Sequence, residues 1–393
     1  MSSTTPTSPF RRVTVVGCGL VGGSVALATA ALPGVEEVVV SDVDAGTLAR
    51  AAELGIGSRH EPDAAVAVDG ADLVVLCTPV GVTGKLFLSL VPSLGPRTVV
   101  TDVGSVKSQV LVDVEGSGRR WHGSGPSRLS SGSARASDVL SRFIGGHPMA
   151  GSERTGVEAA DGTLFQGATW ILTPTAGADV RAFEELSAFL RALGARVLAV
   201  EPALHDRLVA IASHLPQVLA STLMDEAADA AARTGEAVLT VAAGGFRDAT
   251  RVAGSDPDLW VGILTQNRDA VLEALDGFLS RLHTVRDQVD AGDWDGVRGL
   301  LTRARAARER LPSKERAGRL VDLVIPISDQ PGVLAEVTTA LGEAGVNIED
   351  LAMRHATTSA RGALLVAVDG DETADRALAL LRGRGITAHL EPR

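Results

Sequence analysis

Apolar positions are spaced in two different ways along this chain. Over its first hundred residues they come as short β-branched runs separated by helical stretches. RRVTVVGCGLVGGSVALATA leads into VEEVVVSDVD, and ADLVVLCTPV and RTVVTDVGSV follow, each ending in small polar residues. Such runs predict the strands of an open parallel sheet with helices between them, an α/β domain assigned to residues 11–174 behind a disordered N-terminus at 1–10. From about residue 175 the spacing becomes that of long helices, through RAFEELSAFLRALG and ALHDRLVAIASHLPQVLASTLMDEAADAAA to RARAARERLP. An all-helical domain is therefore expected over 175–313, and its Ala/Leu-rich, aromatic-poor faces suit packing within a subunit and between the two subunits of a homodimer. After SKERAGR the pattern restarts: VDLVIPI, DQPGVLAEVTTALGEAG, VNIEDLAMRHA, RGALLVAVDG, TADRALALLRGRG and ITAHLEP spell βαββαβ, a small ferredoxin-like domain at 318–393. Residues 116–138, rich in Gly, Ser and Arg and without a period, read as a flexible surface insertion, and His122 inside it is not taken as a site.

Composition narrows the function. With 393 residues and 45% hydrophobic positions the chain can build two or three cores. Its net charge of −11 argues against nucleic-acid binding, so an anionic ligand must be met by a few placed arginines. No apolar run reaches the roughly 18 residues of a membrane span, and no charged-then-apolar leader opens the chain, so a cytoplasmic protein is expected. Cys18 and Cys77, the only cysteines, lie at apolar strand ends and read as reduced thiols.

The first strand-to-helix turn carries Gly17, Gly19, Leu20 and Gly22. Gly17 permits the turn, Gly19 lets backbone N–H groups approach a pyrophosphate, and Gly22 allows close helix–strand packing, while the helix start favours the anion. Asp42 stands 25 residues after Gly17, at the end of the next strand, where a carboxylate accepts ribose hydroxyls and repels a 2′-phosphate. The domain is thus expected to be of Rossmann type and to bind NAD in preference to NADP. At this point the glycines could still be tightening an ordinary βα turn, and Asp42 could be a plain turn residue. Ligands gather at the carboxyl ends of parallel strands, which places Thr78, Pro79, Asp102, Gly104 and Ser105 where cofactor and substrate should meet.

Within IGGHPMAGSERTG, His147 is held between glycines and a proline and followed by Glu153 and Arg154, more punctuation than a packing histidine requires. In HDRLVAIASHLPQ, Asp206, Ser213 and Gln217 stand at i, i+7 and i+11, on one helix face, and Pro216 breaks the local hydrogen bonding. In GGFRDATRVAGSDPDLW, Arg247 and Arg251 stand at i and i+4, two guanidiniums that suit a ligand with two carboxylates, although surface arginines are the ordinary reading.

Together GCGLVGGS, CTPV, TDVGSVK, GGHPMAGSERTG, HDRLVAIASHLPQ and GGFRDATRVAGSDPDLW resemble the prephenate dehydrogenases of tyrosine biosynthesis, and DQPGVLAEVTTALGEAGVNIEDL resembles an ACT amino-acid-sensing domain. The resemblance runs from residue 11 across nearly the whole chain. It implies an NAD-dependent oxidative decarboxylation, needing no metal, in which His147 accepts the hydrogen bond of the substrate hydroxyl and Ser105 positions hydroxyl and imidazole. It further implies that Arg251, supported by Arg247, binds carboxylate, that His214 shapes the substrate face, and that Glu153 orders polar contacts at the mouth. One departure is that HLPQ stands where many relatives have HLPH, so Gln217 replaces a histidine and leaves prephenate and arogenate both open as substrate. Other β-hydroxyacid dehydrogenases usually rely on a helix lysine that has no counterpart in the second domain. A non-catalytic sensor of NAD and amino acids is disfavoured by the presence of Ser105, His147 and the arginine pair together. In the last domain, Asp329, Gly332, Val333 and Leu334 at a strand-to-helix turn, with Asn347 near the next strand, are the expected effector site, the effector being an aromatic amino acid such as tyrosine.

Overall fold

The computed structural model describes residues 7–120, 138–151, 154–235, 240–310, 320–328, 350–355 and 361–392, with isolated positions between 337 and 346. Two compact units divide at Glu309/Arg310.

The first unit is built on eight strands: β1 (Arg12–Val16), β2 (Glu37–Ser41), β3 (Arg59–His60), β4 (Leu73–Leu76), β5 (Val99–Asp102), β6 (Phe143–Pro148), β7 (Thr169–Thr173) and β8 (Arg196–Ala199). Their order is β3-β2-β1-β4-β5-β6-β7-β8. From β3 to β6 every pairing is parallel, as expected for a doubly wound sheet whose order reverses between β1 and β4. The strands Val13, Val15, Val38, Val40, Leu73 and Val75 sit in one core with the helix after β1, and Val74, Leu76 and Val100 sit in a second core on the opposite face. Burial on both faces is why these strands read as continuous apolar runs. The helices of this part are α1 (Leu20–Ala30), α2 (Ala45–Glu53), α3 (Ala64–Ala67), α4 (Val80–Leu90), α5 (Ser108–Arg120) and α6 (Val180–Ala192).

Four expectations change. The sheet is not parallel throughout, because β7 pairs antiparallel with β6. Strand alternation does not stop at 174: α6 packs Leu186, Phe189 and Leu190 into the first core, and β8 pairs parallel with β7, so the helical part begins at Pro202. The run RVLA is short and solvent-facing, which hides it from a pattern search. The N-terminal stretch is ordered from residue 7: Ser8 N–H donates to the Pro33 carbonyl (2.9 Å), and Phe10, 2% exposed, meets Phe189 edge-on at 5.7 Å. A phenylalanine buried in this way contributes about 1.5–3 kcal/mol, enough to hold a terminus. Finally, α5 runs to Arg120, into the segment expected to be a loop, while 121–137, His122 included, lie outside the described residues.

The helical part comprises α7 (Pro202–Val209), α8 (Leu215–Thr234), α9 (Gly244–Thr250), α10 (Pro257–Gln266), α11 (Arg268–Ala291) and α12 (Trp294–Arg308). Between α7 and α8, residues Ala210–His214 form one π-helical turn directly before Leu215-Pro216. Proline has no N–H to continue the α ladder, and the wider turn inserts one residue. His214 thereby takes the buried face position, 1% exposed, that an unbroken helix would give to Ser213, which is only half-buried.

The second unit has a four-stranded antiparallel sheet of β9 (Leu320–Ser328), β10 (Asp350–His355), β11 (Arg361–Asp369) and β12 (His389–Pro392), ordered β10-β11-β9-β12, with α13 (Asp371–Gly383) packing Ala374, Ala377 and Leu381 on Leu323, Ile325, Leu364 and Val366. This is the ferredoxin-like order expected. Most of the segment for its first helix, including Asp329, Gly332, Val333 and Leu334, and Asn347 after it, lie outside the described residues.

Candidate active site

Because β1, β4, β5 and β6 run parallel, the residues that follow them share one edge of the sheet: the glycine turn after β1, Thr78 and Pro79 after β4, Ser105 and Lys107 after β5, and His147 at the end of β6. At the glycine turn, Gly17 has φ +97°, and a Cβ there would lie 2.4 Å from the Cys77 carbonyl oxygen. A Cβ on Gly22 would lie 1.9 Å from the Gly17 oxygen. Both are needed for the backbone to close on itself. Gly19 is different: as N-cap of α1 it faces open space, and among the described residues nothing would lie within 4 Å of a Cβ there, so the free N–H groups of the helix start can be approached closely. These features fit a dinucleotide pyrophosphate. Leu20, half-buried, opens α1.

Asp42 does more locally than expected. One oxygen accepts from the Cys18 N–H (2.7 Å) and the other from the Asp44 N–H (2.9 Å), so the carboxylate ties the glycine turn to the end of β2. Burial pushes the Cys18 thiol up to about 11, with Asp42 adding to the shift, and Cys77 is raised further by burial; neither is a reactive thiolate. Pro79 caps α4, and the Thr78 hydroxyl lies 3.2 Å from that of Thr83.

The glycines before His147 have a structural cause. A Cβ on Gly145 would meet Thr173 Oγ1 at 2.5 Å and Lys107 Cδ at 3.3 Å; one on Gly146 would meet the Asp102 oxygen at 2.6 Å. They make room for a wholly buried ion pair, Lys107 with Asp102, that sits against β6. Lys107 Nζ also donates to the Gly146 carbonyl (2.6 Å), while Asp102 accepts from the Gly146 N–H (3.1 Å) and the Gly104 N–H (2.9 Å). Burial pulls the lysine below its ordinary value, against the stabilising charge of Asp102.

His147, 8% exposed, has its Nδ1 2.9 Å from His205 Nε2. His205 Nδ1 is 2.8 Å from Asp206 Oδ1. Asp206, on α7, accepts in addition from the backbone N–H groups of Lys107 (2.8 Å) and Ser108 (2.9 Å) at the start of α5. Burial pushes Asp206 up, but these donors outweigh it and hold the carboxyl below its usual value. Burial drives His147 far below the ordinary imidazole value, with Lys107, His205 and His214 pushing the same way, so the ring is neutral at physiological pH. His214, lowered to about 4 chiefly by burial, has Nδ1 3.1 Å from Asn267 Nδ2, which also donates to the Asp206 carbonyl (2.9 Å). Trp260 stands edge-on to it at 6.0 Å. Among the described residues, two buried polar atoms here have no partner, His214 Nε2 and Gln217 Oε1. Such groups cost free energy unless a ligand satisfies them.

Of the expected site residues, the structure brings His147 and His214 to one buried region with Asp206, and Gln217 is buried three residues further along the helix from His214. Ser105 is half-buried in the bend after β5, but among the described residues it makes no hydrogen bond to His147, whose Nδ1 is bonded to His205 instead. Arg247 and Arg251 are exposed, the first on α9 and the second opening a 3₁₀ turn beside α8 rather than continuing the helix. Glu153 lies outside the described residues. Lys107, His205 and Asn267 were not singled out from the sequence. Lys107 and His205 lie inside the quoted motifs, next to assigned residues, and Asn267 has no local signal at all.

A doubly wound sheet with a pyrophosphate-shaped glycine turn, and a neutral histidine rigidly held at the same sheet edge, define an NAD-dependent oxidoreductase. Comparison with known proteins narrows this. Residues 26–126 and 130–199 match the nucleotide-binding domain of prephenate dehydrogenase, 201–303 match its dimerization domain, and 323–385 match the ACT domain. The chain is 30% identical to a prephenate dehydrogenase of Bacillus subtilis over 95% of its own length and 96% of that protein's. It is also 32% identical to a cyclohexadienyl dehydrogenase of Zymomonas mobilis, covering 73% of this chain and 91% of the relative. Among solved structures, prephenate dehydrogenase from Aquifex aeolicus with hydroxyphenyl propionate and NAD+ is similar at a TM-score of 0.65 and 28% identity, covering 77% of this chain and 98% of that one. Synechocystis arogenate dehydrogenase is similar at 0.59 and 28%, covering 77% and 100%. The chain belongs to the prephenate dehydrogenase family, and its last domain is an ACT domain.

Proposed function

We propose that this chain oxidatively decarboxylates prephenate to 4-hydroxyphenylpyruvate with His147 as the proton acceptor. Prephenate carries a hydroxyl at C4 of a cyclohexadiene ring and a carboxylate across the ring at C1. When bound, NAD+ supplies the acceptor for the C4 hydride. His147 takes the hydroxyl proton as that C–H bond breaks, and C4 becomes a carbonyl. The C1 carboxylate then leaves as CO2, its bonding pair enters the ring, the ring becomes aromatic and the oxygen at C4 recovers its proton from His147. No proton is gained or lost overall, and aromatisation makes the sequence strongly downhill. The observation that carries this reading is the buried, neutral His147 with Nδ1 bonded and no partner on Nε2 among the described residues. A neutral imidazole accepts a proton near pH 7, and a charged one cannot.

In this reading Gly17, Gly19, Leu20, Gly22, Thr78 and Pro79 hold NAD, with Asp42 on the ribose through the lone pairs it does not spend on Cys18 and Asp44. Ser105, His214, Gln217 and Glu153 line the substrate, and Arg251 with Arg247 binds carboxylate. The unpartnered Gln217 Oε1 is an acceptor, which keeps arogenate, with an amine in place of the side-chain ketone, as the second reading. A homodimer accounts for the exposed Ile211, Leu279, Leu282, Trp294 and Leu301 of the helical part. The ACT domain takes an aromatic amino acid, and a chain ending at residue 315 should lose sensitivity to tyrosine while staying active. NADH formation from prephenate and from arogenate, with NAD+ and NADP+ compared in wild type and His147→Asn, tests the whole assignment. His147→Asn should lower kcat by at least about 10²-fold while leaving NAD+ binding unchanged, and near-normal turnover would refute it.

A further inference from the structure

We infer that His205, held by Asp206, is a positioning residue that keeps the single proton of His147 on Nδ1 and so leaves Nε2 bare to receive the substrate proton. This rests on the reading of His147 given above and deepens it. The argument is a count of protons along a chain of short contacts. An ionised carboxylate only accepts hydrogen bonds. Asp206 is ionised and already takes the N–H groups of Lys107 and Ser108, so the 2.8 Å contact from His205 Nδ1 requires a proton on that nitrogen. With one proton on the ring, His205 Nε2 is a bare acceptor. It lies 2.9 Å from His147 Nδ1, which must then be the donor. His147 is neutral, and its remaining nitrogen, Nε2, has no proton. The alternative arrangement would set a lone pair of His205 Nδ1 against the carboxylate at 2.8 Å.

The anchor of this chain is backbone. Asp206 is fixed by the first N–H groups of α5, where the helix start also favours negative charge, and its own carbonyl is held by Asn267. His205 is wholly buried and contacts both neighbours, His147 at 2.9 Å and Asp206 at 2.8 Å. The proton inventory of His147 is thus set by contacts 58 and 99 residues apart in sequence, between β6, the start of α5 and α7. When His147 takes the substrate proton and becomes imidazolium, its Nδ1–H still points at His205 Nε2, so the charge forms against an acceptor already in place and no group must reorient.

The test uses the full-length protein labelled with ¹⁵N in its histidine rings. Long-range ¹H–¹⁵N spectra at pH 7.5 distinguish the two neutral tautomers and the imidazolium, and the His147 signals are those lost in His147→Asn. The inference expects a proton on Nδ1 of His147 and none on Nε2. A proton on Nε2 in the wild type, including the case in which His205 carries two protons and donates to His147, overturns it. Kinetics supply an independent readout. His205→Phe removes the acceptor and should lower kcat by about 10²-fold, the scale of a mispositioned base, with the Kd for NAD+ and the KM for prephenate within about twofold. His205→Gln places an amide oxygen toward the same position and should recover at least about tenfold of that loss. Phe and Gln variants equally impaired, or a Phe variant within about threefold of wild type, refute the positioning role. If His147→Asn itself keeps normal turnover, it is the assignment of His147 that fails; if His147→Asn is inactive and His205→Phe is not, only this inference fails.

Discussion

Replacing Lys107 with methionine isolates the buried ion pair behind the site. In the folded chain its ammonium is wholly enclosed between Asp102 and the Gly146 carbonyl. Methionine keeps most of the volume, so little cavity forms, and the dominant effect is electrostatic. Asp102, 0% exposed, would be left with the N–H groups of Gly104 and Gly146 as its remaining side-chain partners among the described residues. Removing one member of a buried pair costs about 3–5 kcal/mol, because the other is stranded, and that is a large part of an ordinary stability of about 5–15 kcal/mol. Adding Asp102→Asn removes the stranded charge while keeping an acceptor for one of those N–H groups. The double variant should therefore be more stable than Lys107→Met alone, with a coupling of about 1–3 kcal/mol. Urea unfolding followed by tryptophan fluorescence is the assay, since all four tryptophans lie before residue 310 and report on the first unit only. A loss below about 1 kcal/mol for Lys107→Met, or a double variant no better than the sum of the singles, would refute the stranded-charge argument.

Gly22→Ala would put a methyl 1.9 Å from the Gly17 carbonyl oxygen, where only backbone can give way, so it should cost about 1–3 kcal/mol and weaken NAD+ binding measured by calorimetry. Asp42→Ser should narrow the preference for NAD+ over NADP+ in kcat/KM, because a group that repels a 2′-phosphate is removed. Arg251→Ala should act mainly on KM for the substrate, by roughly 1.5–3 kcal/mol if a charge-assisted contact to carboxylate is lost, and an unchanged KM returns Arg251 to the surface. His214 binds its proton near 4 when folded and near 6.5 when unfolded. Between those values the unfolded chain carries the extra proton, so stability is full above about pH 6.5 and falls as the pH is lowered toward 4, by up to about 3 kcal/mol from this group. Urea midpoints of wild type and His214→Gln at pH 7.5 and 5 measure it; the variant should show the smaller fall.

The features legible in the sequence are those whose physics is local. Buried parallel strands must be apolar on both faces, so β1, β2, β4 and β5 show as runs. A turn that needs positive φ at Gly17 and no side chain at Gly22 shows as glycines at fixed spacing, and a proline at 216 announces that the helix ladder fails before it. The exposed strand β8 shows only the short apolar stretch Val197-Leu198-Ala199 directly after a helical run, and the antiparallel turn of β7 has no signature in its residues. The site was half legible for the same reason. His147 could be picked out by its neighbours, but the glycines beside it exist for Lys107, 39 residues away, and its proton is set by His205 and Asp206. The π turn moved His214, and not Ser213, onto the face of Asp206. Ion pairs and hydrogen bonds between residues far apart in the chain depend on how elements pack, and no spacing within a motif encodes that; only the tertiary structure decided which imidazole nitrogen was left free.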